Sequence, residues 1–187
     1  MNILLIANHC STGGITSYLL NLSRKLVKEG HQVWLVCAKG DNAALFKAAG
    51  VNCVFCDIRV KAEIHPKVWM AIPPVVRLVR EKKINIIHAH TRVSQIIAAI
   101  TSRWTRIPYV STCHGFFKPR IFRRLFPCWG KSVIVISQGV RDHLIRDFHV
   151  SPQRARLIYN GIDLYQFQLS TSHDRQLKRK EYDVQGE

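Results

Sequence analysis

The residues best suited to chemistry stand directly after short apolar runs. His114 and Gly115 follow one such run, and a histidine there can accept a proton, hydrogen-bond a hydroxyl group or contact a phosphate. Gly13 and Gly14 follow the first run, where paired glycines let the backbone approach a ligand and leave a helix N-terminus free to bind an anion. The alternatives are a structural histidine and a simple tight turn. The glycine pair matches neither GxGxxG nor a Walker A loop, so it gives no support to dinucleotide or ATP binding.

Other polar residues and glycines occupy equivalent positions after further apolar runs. Those that we expect to line the same site are His9, His90, Ser137, Asn160, Gly161 and Asp163. His9, His90 and His114 could together be interpreted as metal ligands, but no carboxylate stands near them in the sequence. Polar residues collect at strand ends in any case. We therefore expect no metal and no other cofactor.

The elements that must position these residues follow from hydrophobic periodicity. Short apolar runs predict strands at 2–7, 32–37, 52–56, 84–88, 109–112, 132–136 and 156–159. Most of these runs are continuous, which is typical of strands buried on both faces of a parallel sheet. Apolar spacing and Gly or Pro boundaries predict helices at 14–29, 42–49, 75–82, 93–103 and 138–148. This alternation predicts a doubly wound, Rossmann-like α/β domain with three α/β/α layers. Ligands bind such sheets in the crevice at the carboxyl ends of the strands.

The chain is strongly basic, with 28 Lys and Arg against 12 Asp and Glu and a formal net charge of +16. This imbalance favours anionic partners. Lys118, Arg120, Arg123 and Arg124 are interleaved with bulky apolar residues up to Phe126, which indicates a helix that meets a membrane surface or an anionic acceptor. The alternative is an ordinary amphipathic helix packed on the sheet. Charge alone suggests nucleic acid, but no recognised motif supports it, so we expect no specific nucleic-acid partner.

The cysteines and the N-terminus indicate a reduced, cytoplasmic protein. Cys53 and Cys56 have CxxC spacing, but residues three apart on a strand face opposite ways, and no second pair completes a zinc site. The first ten residues lack the basic region and the long apolar run of a signal peptide. No apolar stretch reaches the roughly 18 residues of a membrane-spanning helix.

A family resemblance rests on five segments in a fixed order. They are NILLIANHCSTGGITSYLLNLSRKLVKEGHQVWLVC, INIIHAH, PYVSTCHG, VIVISQGVRDHL and RLIYNGIDLYQF, and they span residues 2–167. Each is weak alone, but in this order and spacing they resemble the family-4 retaining glycosyltransferases of the GT-B fold. The resemblance implies an N-terminal domain that binds the acceptor, opposite a C-terminal domain that binds a nucleotide-sugar, with sugar transferred across the cleft and generally without a metal.

The same resemblance implies roles for particular residues. Gly13 and Gly14 match the glycine loop that faces the donor diphosphate and the acceptor. His114 matches a histidine that contacts the transferred sugar and supports catalysis. The segment 160–163 matches the stretch that leads into the interdomain cleft, and Ser137 matches a serine with a supporting role.

The sequence departs from the family pattern because it lacks the motifs of the family's second domain. The family's Arg/Lys pair and Glu-x7-Glu motif belong to the donor domain, and no two glutamates here have that spacing. We therefore expect residues 1–167 to form the acceptor-binding domain and 168–187 to be a polar linker or tail. The expected function is the acceptor half of a hexosyltransferase for a saccharide or lipid-linked acceptor in cell-envelope or lipopolysaccharide synthesis, cytoplasmic or peripheral at the inner membrane face. The alternative is a non-catalytic module of the same fold that binds an anionic ligand or a membrane surface.

Overall fold

A computed structural model describes residues 1–162 and 172–182 of the chain. Seven strands form where the continuous apolar runs predict them: β1 (Asn2–His9), β2 (Gln32–Ala38), β3 (Asn52–Phe55), β4 (Ile86–Ala89), β5 (Tyr109–Cys113), β6 (Val133–Val135) and β7 (Ala155–Leu157). All strand pairs are parallel, and the order across the sheet is β3-β2-β1-β4-β5-β6-β7. The predicted doubly wound, Rossmann-like fold is confirmed.

Eight helices lie in the part of the chain that the structure describes: α1 (Gly14–Lys28), α2 (Ala43–Ala48), α3 (Pro66–Met70), α4 (Ile72–Glu81), α5 (Arg92–Thr105), α6 (Ile121–Leu125), α7 (Gln138–Phe148) and α8 (Ser172–Glu181). The five helices predicted from periodicity are all present. The helix α3 was not predicted, because its single turn is too short to show a period. Pro66 begins it, and the His65 ring accepts a hydrogen bond from the Lys67 amide.

The core lies on both faces of the sheet because neighbouring strand residues point in opposite directions. Ile3 and Leu5 pack with Leu19 of α1, whereas Leu4 and Ile6 pack beneath α4 and α5. A third cluster places Leu144 of α7 against β5 and β6. Cys53 packs on the α1 side and Cys56 on the α5 side, so the CxxC pair is divided between the faces.

The sheet order reverses between β1 and β4, whose neighbouring strands lead to opposite edges. The chain runs from β1 outward to β3 and then returns to β4 before continuing to β7. At such a switch point the connections leave in opposite directions and open a crevice at the carboxyl ends of the strands. This edge carries the residues selected from the sequence.

The last part of the chain is described only in part. The helix α8 forms within the expected polar tail, where its described side chains are exposed. Asp163 and the expected domain boundary at 167/168 lie outside the described residues. No helix in residues 1–162 or 172–182 is long and apolar enough to cross a membrane.

Candidate functional site

The glycine loop lies between β1 and α1 at the switch point. Gly13 is the N-cap residue of α1, and no side chain caps the helix and no acidic residue occupies its first turn. The loop is nevertheless held in place: Thr12 Oγ1 donates to Asp41 at 2.8 Å, and Thr16 Oγ1 donates to the Ser11 carbonyl at 2.6 Å. An uncapped helix N-terminus on a fixed loop can accept an anionic group.

The space around each glycine shows whether close packing requires a residue without a side chain at that position. A Cβ at Gly40 would lie 2.4 Å from the Ser11 backbone nitrogen, and one at Gly130 would lie 2.5 Å from the Tyr109 carbonyl oxygen, so these two glycines are required by packing. A Cβ at Gly13, Gly14, Gly115 or Gly161 would meet nothing within 4 Å. All four come after the carboxyl end of a strand, and the fold's own packing does not account for them.

Three histidine rings and one tyrosine meet beside this loop. His88 and His90 lie two residues apart at the end of β4, on one face of the strand, with ring centroids 4.0 Å apart. His114 follows β5, and its Nε2 lies 3.4 Å from Nδ1 of His90. Tyr18 of α1 contacts His114 and His90, with its ring centroid 4.9 Å from that of His114 and 5.7 Å from that of His90. We call His88, His90, His114 and Tyr18 the histidine cluster.

Burial keeps the three histidines of the cluster uncharged. Desolvation lowers the pKa of His88 to about 3 and that of His114 to about 4, and it holds the pKa of His90 well below its ordinary value. Neighbouring imidazoles add a smaller effect in the same direction at His88 and His90. At neutral pH these rings therefore exchange hydrogen bonds as neutral donors and acceptors. His88 Nε2 lies 2.8 Å from Thr112 Oγ1, a further contact of this kind.

The ends of β1 and β4 are tied together at the switch point. Thr91 Oγ1 donates to Asn8 Oδ1 at 2.5 Å, and Asn8 Nδ2 donates to the Val60 carbonyl at 3.2 Å. Thr91 also begins α5 through a capping box in which its side chain and that of Ser94 each accept a backbone N–H. This arrangement fixes the position from which His90 projects.

The loop after His114 is anchored from α7. The Phe117 amide donates to Nε2 of His143 at 3.0 Å, and Nδ1 of that ring lies 2.6 Å from Asp147. The Cys113 thiol contacts the Gly115 carbonyl at 3.2 Å. The backbone on both sides of His114 is thus held by the fold.

The remaining predicted residues share the edge but do not join the histidine cluster in the contacts described. His9 Nδ1 accepts from the Ser11 amide at 3.2 Å and shapes the start of the glycine loop. Ser137 caps α7 by accepting from the Val140 amide at 3.2 Å, a structural role. Asn160 and Gly161 are exposed beyond β7. The strand that they follow, β7, is two strands from β5 in the sheet, a separation of roughly 10 Å.

The basic segment divides between surface and interior. Lys118, Arg120 and Arg124 are exposed and have no ion pair within the described residues. Ile121 and Leu125 on α6 are 78% and 69% exposed, so an apolar surface lies beside these charges. We call Lys118, Arg120, Ile121, Arg124 and Leu125 the α6 surface.

Arg123 does not belong to the α6 surface. Its side chain is 13% exposed, pairs with Glu63 at 3.3 Å and lies 4.5 Å above the Phe117 ring. Glu63 also pairs with Arg92 at 3.1 Å, and Arg92 donates to the Phe126 and Pro127 carbonyls. The expectation that Arg123 meets an external anionic partner is corrected. The alternation of basic and apolar residues did not reveal that this arginine faces inward and pairs with a partly buried carboxylate.

Four contributors to the site were not identified as such from the sequence. They are Asn8, Tyr18, His88 and Thr91. Tyr18 fits the apolar stripe of α1, and His88 lies inside a strand run, so neither interrupts the pattern. Their signal was positional: each lies within four residues of a predicted strand end or glycine loop. Among the described residues, no group of three His, Cys, Asp or Glu is placed to hold a metal ion.

The fold and the site together define a class of protein, the doubly wound α/β domains that carry their polar site residues at the carboxyl ends of the strands. Within that class, the family model for Glycosyltransferase Family 4 matches residues 12–166, and the chain belongs to this family. An uncharacterized glycosyltransferase of Methanocaldococcus jannaschii, MJ1607, is 22% identical over 196 residues, which cover 94% of this chain and 49% of that protein.

Solved glycosyltransferases share the fold. A Rickettsia africae glycosyltransferase superposes with a TM-score of 0.81 at 15% identity, covering 99% of this chain and 50% of the other. Anabaena HepE, solved with UDP-glucose, gives 0.76 at 20% identity, covering 98% and 50%. The chain thus spans about half the length of its relatives and corresponds to the N-terminal half of a GT-B glycosyltransferase.

Proposed function

We propose that this chain is the acceptor-binding half of a retaining glycosyltransferase, which transfers a hexosyl group from a nucleotide-sugar to a saccharide or lipid-linked acceptor. The observation that carries the proposal is that Tyr18, on the helix that begins at the open glycine loop, lies against the His114 ring at the carboxyl end of the sheet. A glycosyltransferase of this family also needs a half that binds the donor. In this proposal the present chain forms the wall of the interdomain cleft that faces that half.

The residues of the crevice suit the charges of the reaction. Negative charge develops on the departing nucleoside diphosphate, and the uncapped N-terminus of α1 offers backbone N–H groups to it. His114, neutral at working pH, hydrogen-bonds the transferred sugar. In a front-face transfer with retention, the acceptor hydroxyl must be held against the anomeric carbon, so positioning provides much of the rate.

The α6 surface supports an acceptor that carries negative charge or is anchored in an anionic membrane. Exposed Ile121 and Leu125 can enter the interfacial region while Lys118, Arg120 and Arg124 meet anionic headgroups. Ile64 is 67% exposed and follows Glu63, the residue that anchors Arg123 of α6. This surface fits cell-envelope or lipopolysaccharide synthesis by a cytoplasmic protein that is peripheral at the inner membrane face.

The donor enters this proposal as a substrate, bound chiefly by the other half of the enzyme. We propose that neither a metal nor another cofactor takes part, and that the α1 N-terminus provides the electrostatic stabilisation of the diphosphate. The present chain alone then turns over no nucleotide-sugar.

A transfer assay on a protein that joins this chain to a nucleotide-sugar-binding half tests the proposal. His114→Ala should lower kcat by about 10²-fold, the usual loss for a group that contacts the transition state. Ser137→Ala is the matched control, since Ser137 only caps α7, and its activity should stay within a few-fold of the parent protein. Equal transfer by the His114→Ala protein would reject the assignment. Acceptor binding without any transfer would favour a non-catalytic module instead.

A further inference from the structure

The contact between His90 and His114 is shared by two neutral rings, so a single proton must lie between them. The contact joins His90 Nδ1 to His114 Nε2 at 3.4 Å, and both rings have a lowered pKa through burial. Either His90 donates from Nδ1, or His114 donates from Nε2. The first case puts the His114 proton on Nδ1, and the second puts it on Nε2. The two cases therefore give the crevice different hydrogen-bonding groups.

The far side of the His90 ring distinguishes the two cases. His90 Nε2 is fully buried and has no hydrogen-bond partner. If His114 were the donor, the His90 proton would sit on Nε2 as an orphaned N–H group in the interior. If His90 is the donor, only a lone pair is left there. Buried N–H groups without a partner are the rarer of the two in folded proteins.

The surroundings fix the position of the His90 ring. Its backbone N–H donates to the Ile6 carbonyl at 3.1 Å and lies 3.0 Å from Ser94 Oγ. The ring lies against that of His88 at an interplanar angle of 40°, and His88 Nε2 is itself 2.8 Å from Thr112 Oγ1. The Tyr18 ring closes the remaining side against both His90 and His114.

We propose that His90 is a positioning residue that fixes the tautomer of His114, with the His114 proton on Nδ1. His114 then presents an N–H donor toward the crevice and serves as a hydrogen-bond donor to a substrate oxygen, not as a general base. The tautomer is a property of this chain alone. Its consequence for catalysis rests on the proposed glycosyltransferase function.

Nitrogen-15 NMR of ring-labelled histidine in this chain tests the tautomer directly, because the two- and three-bond couplings from the ring protons identify the protonated nitrogen. We expect His114 to be neutral and protonated on Nδ1 at pH 7.5. A proton on Nε2 of His114 in the unsubstituted protein would overturn the proposal. This readout needs no substitution and so does not depend on whether a variant folds.

Two substitutions at His90 separate positioning from packing. His90→Asn keeps a side-chain N–H donor near the Nδ1 position, whereas His90→Leu keeps bulk and removes the donor. The Leu variant should release His114 to the Nε2 tautomer, and the Asn variant should retain Nδ1 protonation. An unchanged His114 tautomer in a folded Leu variant would contradict the assignment.

The same pair tests the consequence for transfer in the two-domain protein. His90→Leu should lower kcat at least 10-fold with little change in KM, and His90→Asn should recover most of the loss. Equal losses in both variants would show that His90 acts through packing and would reject its role in transfer. If the parent protein transfers no sugar while NMR shows Nδ1 protonation, the proposed function fails and the tautomer assignment stands.

Discussion

At the scale of single residues, the site depends on histidines that burial keeps neutral. The sequence identified His90 and His114 by their positions after predicted strands, because parallel strands bring their carboxyl ends to one edge. It could not identify the contact between them, since that depends on the register of β4 against β5. Tyr18 was missed because it fits the apolar pattern of α1, whereas His88 was predicted only as the last residue of a strand and was not selected for the site.

The buried histidines give a prediction for stability against pH. The ordinary histidine pKa is 6.5, and the folded values are lowered to about 3 for His88 and about 4 for His114, with His90 also lowered. Between pH 6.5 and 4 the unfolded chain therefore binds more protons than the folded chain. Stability is fully present above pH 6.5 and falls as pH drops through this window, by up to about 4 kcal/mol per pH unit for three sites.

Urea unfolding from pH 8 to pH 4.5 measures this slope. His88→Gln keeps an amide nitrogen near the position of Nε2 beside Thr112 and removes one titrating group, so the slope should fall by about one third. The stability of the variant at pH 8 reports its packing effect separately. A slope that is the same in both proteins would show that His88 does not take part in the linkage.

At the scale of elements, the start of α5 and its hydrogen bond to the residue after predicted strand 2–7 fix the geometry of the crevice. Thr91 and Ser94 form the capping box that begins α5, and Thr91 also reaches Asn8 across the switch point. The presence of a cap near residue 91 could be predicted, because the helix was expected to begin near residue 93. The bond to Asn8 was not, since it links residues that are 83 apart in the chain.

Thr91→Ala removes both interactions. The free energy of unfolding should fall by about 1–2 kcal/mol, the usual cost of losing an N-cap. Thr91→Ser keeps the hydroxyl and is the matched control, with most of the stability retained. Equal losses in the two variants would assign the effect to the threonine methyl group. Chemical denaturation followed by circular dichroism distinguishes these outcomes.

The α6 surface gives a second prediction at this scale. Replacing Lys118, Arg120 and Arg124 with Glu should weaken binding to vesicles that contain anionic lipid. Each basic residue near such a surface contributes about 1 kcal/mol, so the partition coefficient should fall at least about 10²-fold. Arg123 is excluded from the set because its ion pair with Glu63 supports the fold.

A matched control changes the net charge by the same amount at the amino ends of the strands, on the side of the sheet opposite the crevice. Lys28, Lys47 and Lys82 are exposed and lie just before β2, β3 and β4, away from the carboxyl ends. The triple Glu variant at these positions should keep most of the vesicle binding. Equal losses in the two triple variants would assign the binding to net charge and reject a specific role for the α6 surface. Co-sedimentation at constant ionic strength provides the measurement.

At the scale of the whole molecule, the sequence predicted the architecture because seven short apolar runs, most of them continuous, alternate with helical segments. The sequence predicted which residues lie at the carboxyl ends of the strands. It did not predict which basic residues of the segment 118–124 are exposed and which face the interior. Arg123 and Arg124 are adjacent and chemically alike, yet only one faces a buried carboxylate. That distinction depends on the Glu63 loop, whose path has no periodicity.

Donor binding measures directly whether this chain forms one half of a bipartite site. The chain provides the glycine loop and the histidine cluster, and it spans about half of its relatives' length. Calorimetric titration of this chain with UDP-, GDP- and ADP-sugars should give no binding tighter than about 1 mM, whose binding free energy is only about −4 kcal/mol. The same titrations on a protein that joins the chain to a nucleotide-sugar-binding half should give one ligand at micromolar strength. Micromolar binding of any of these donors by the chain alone would contradict the account.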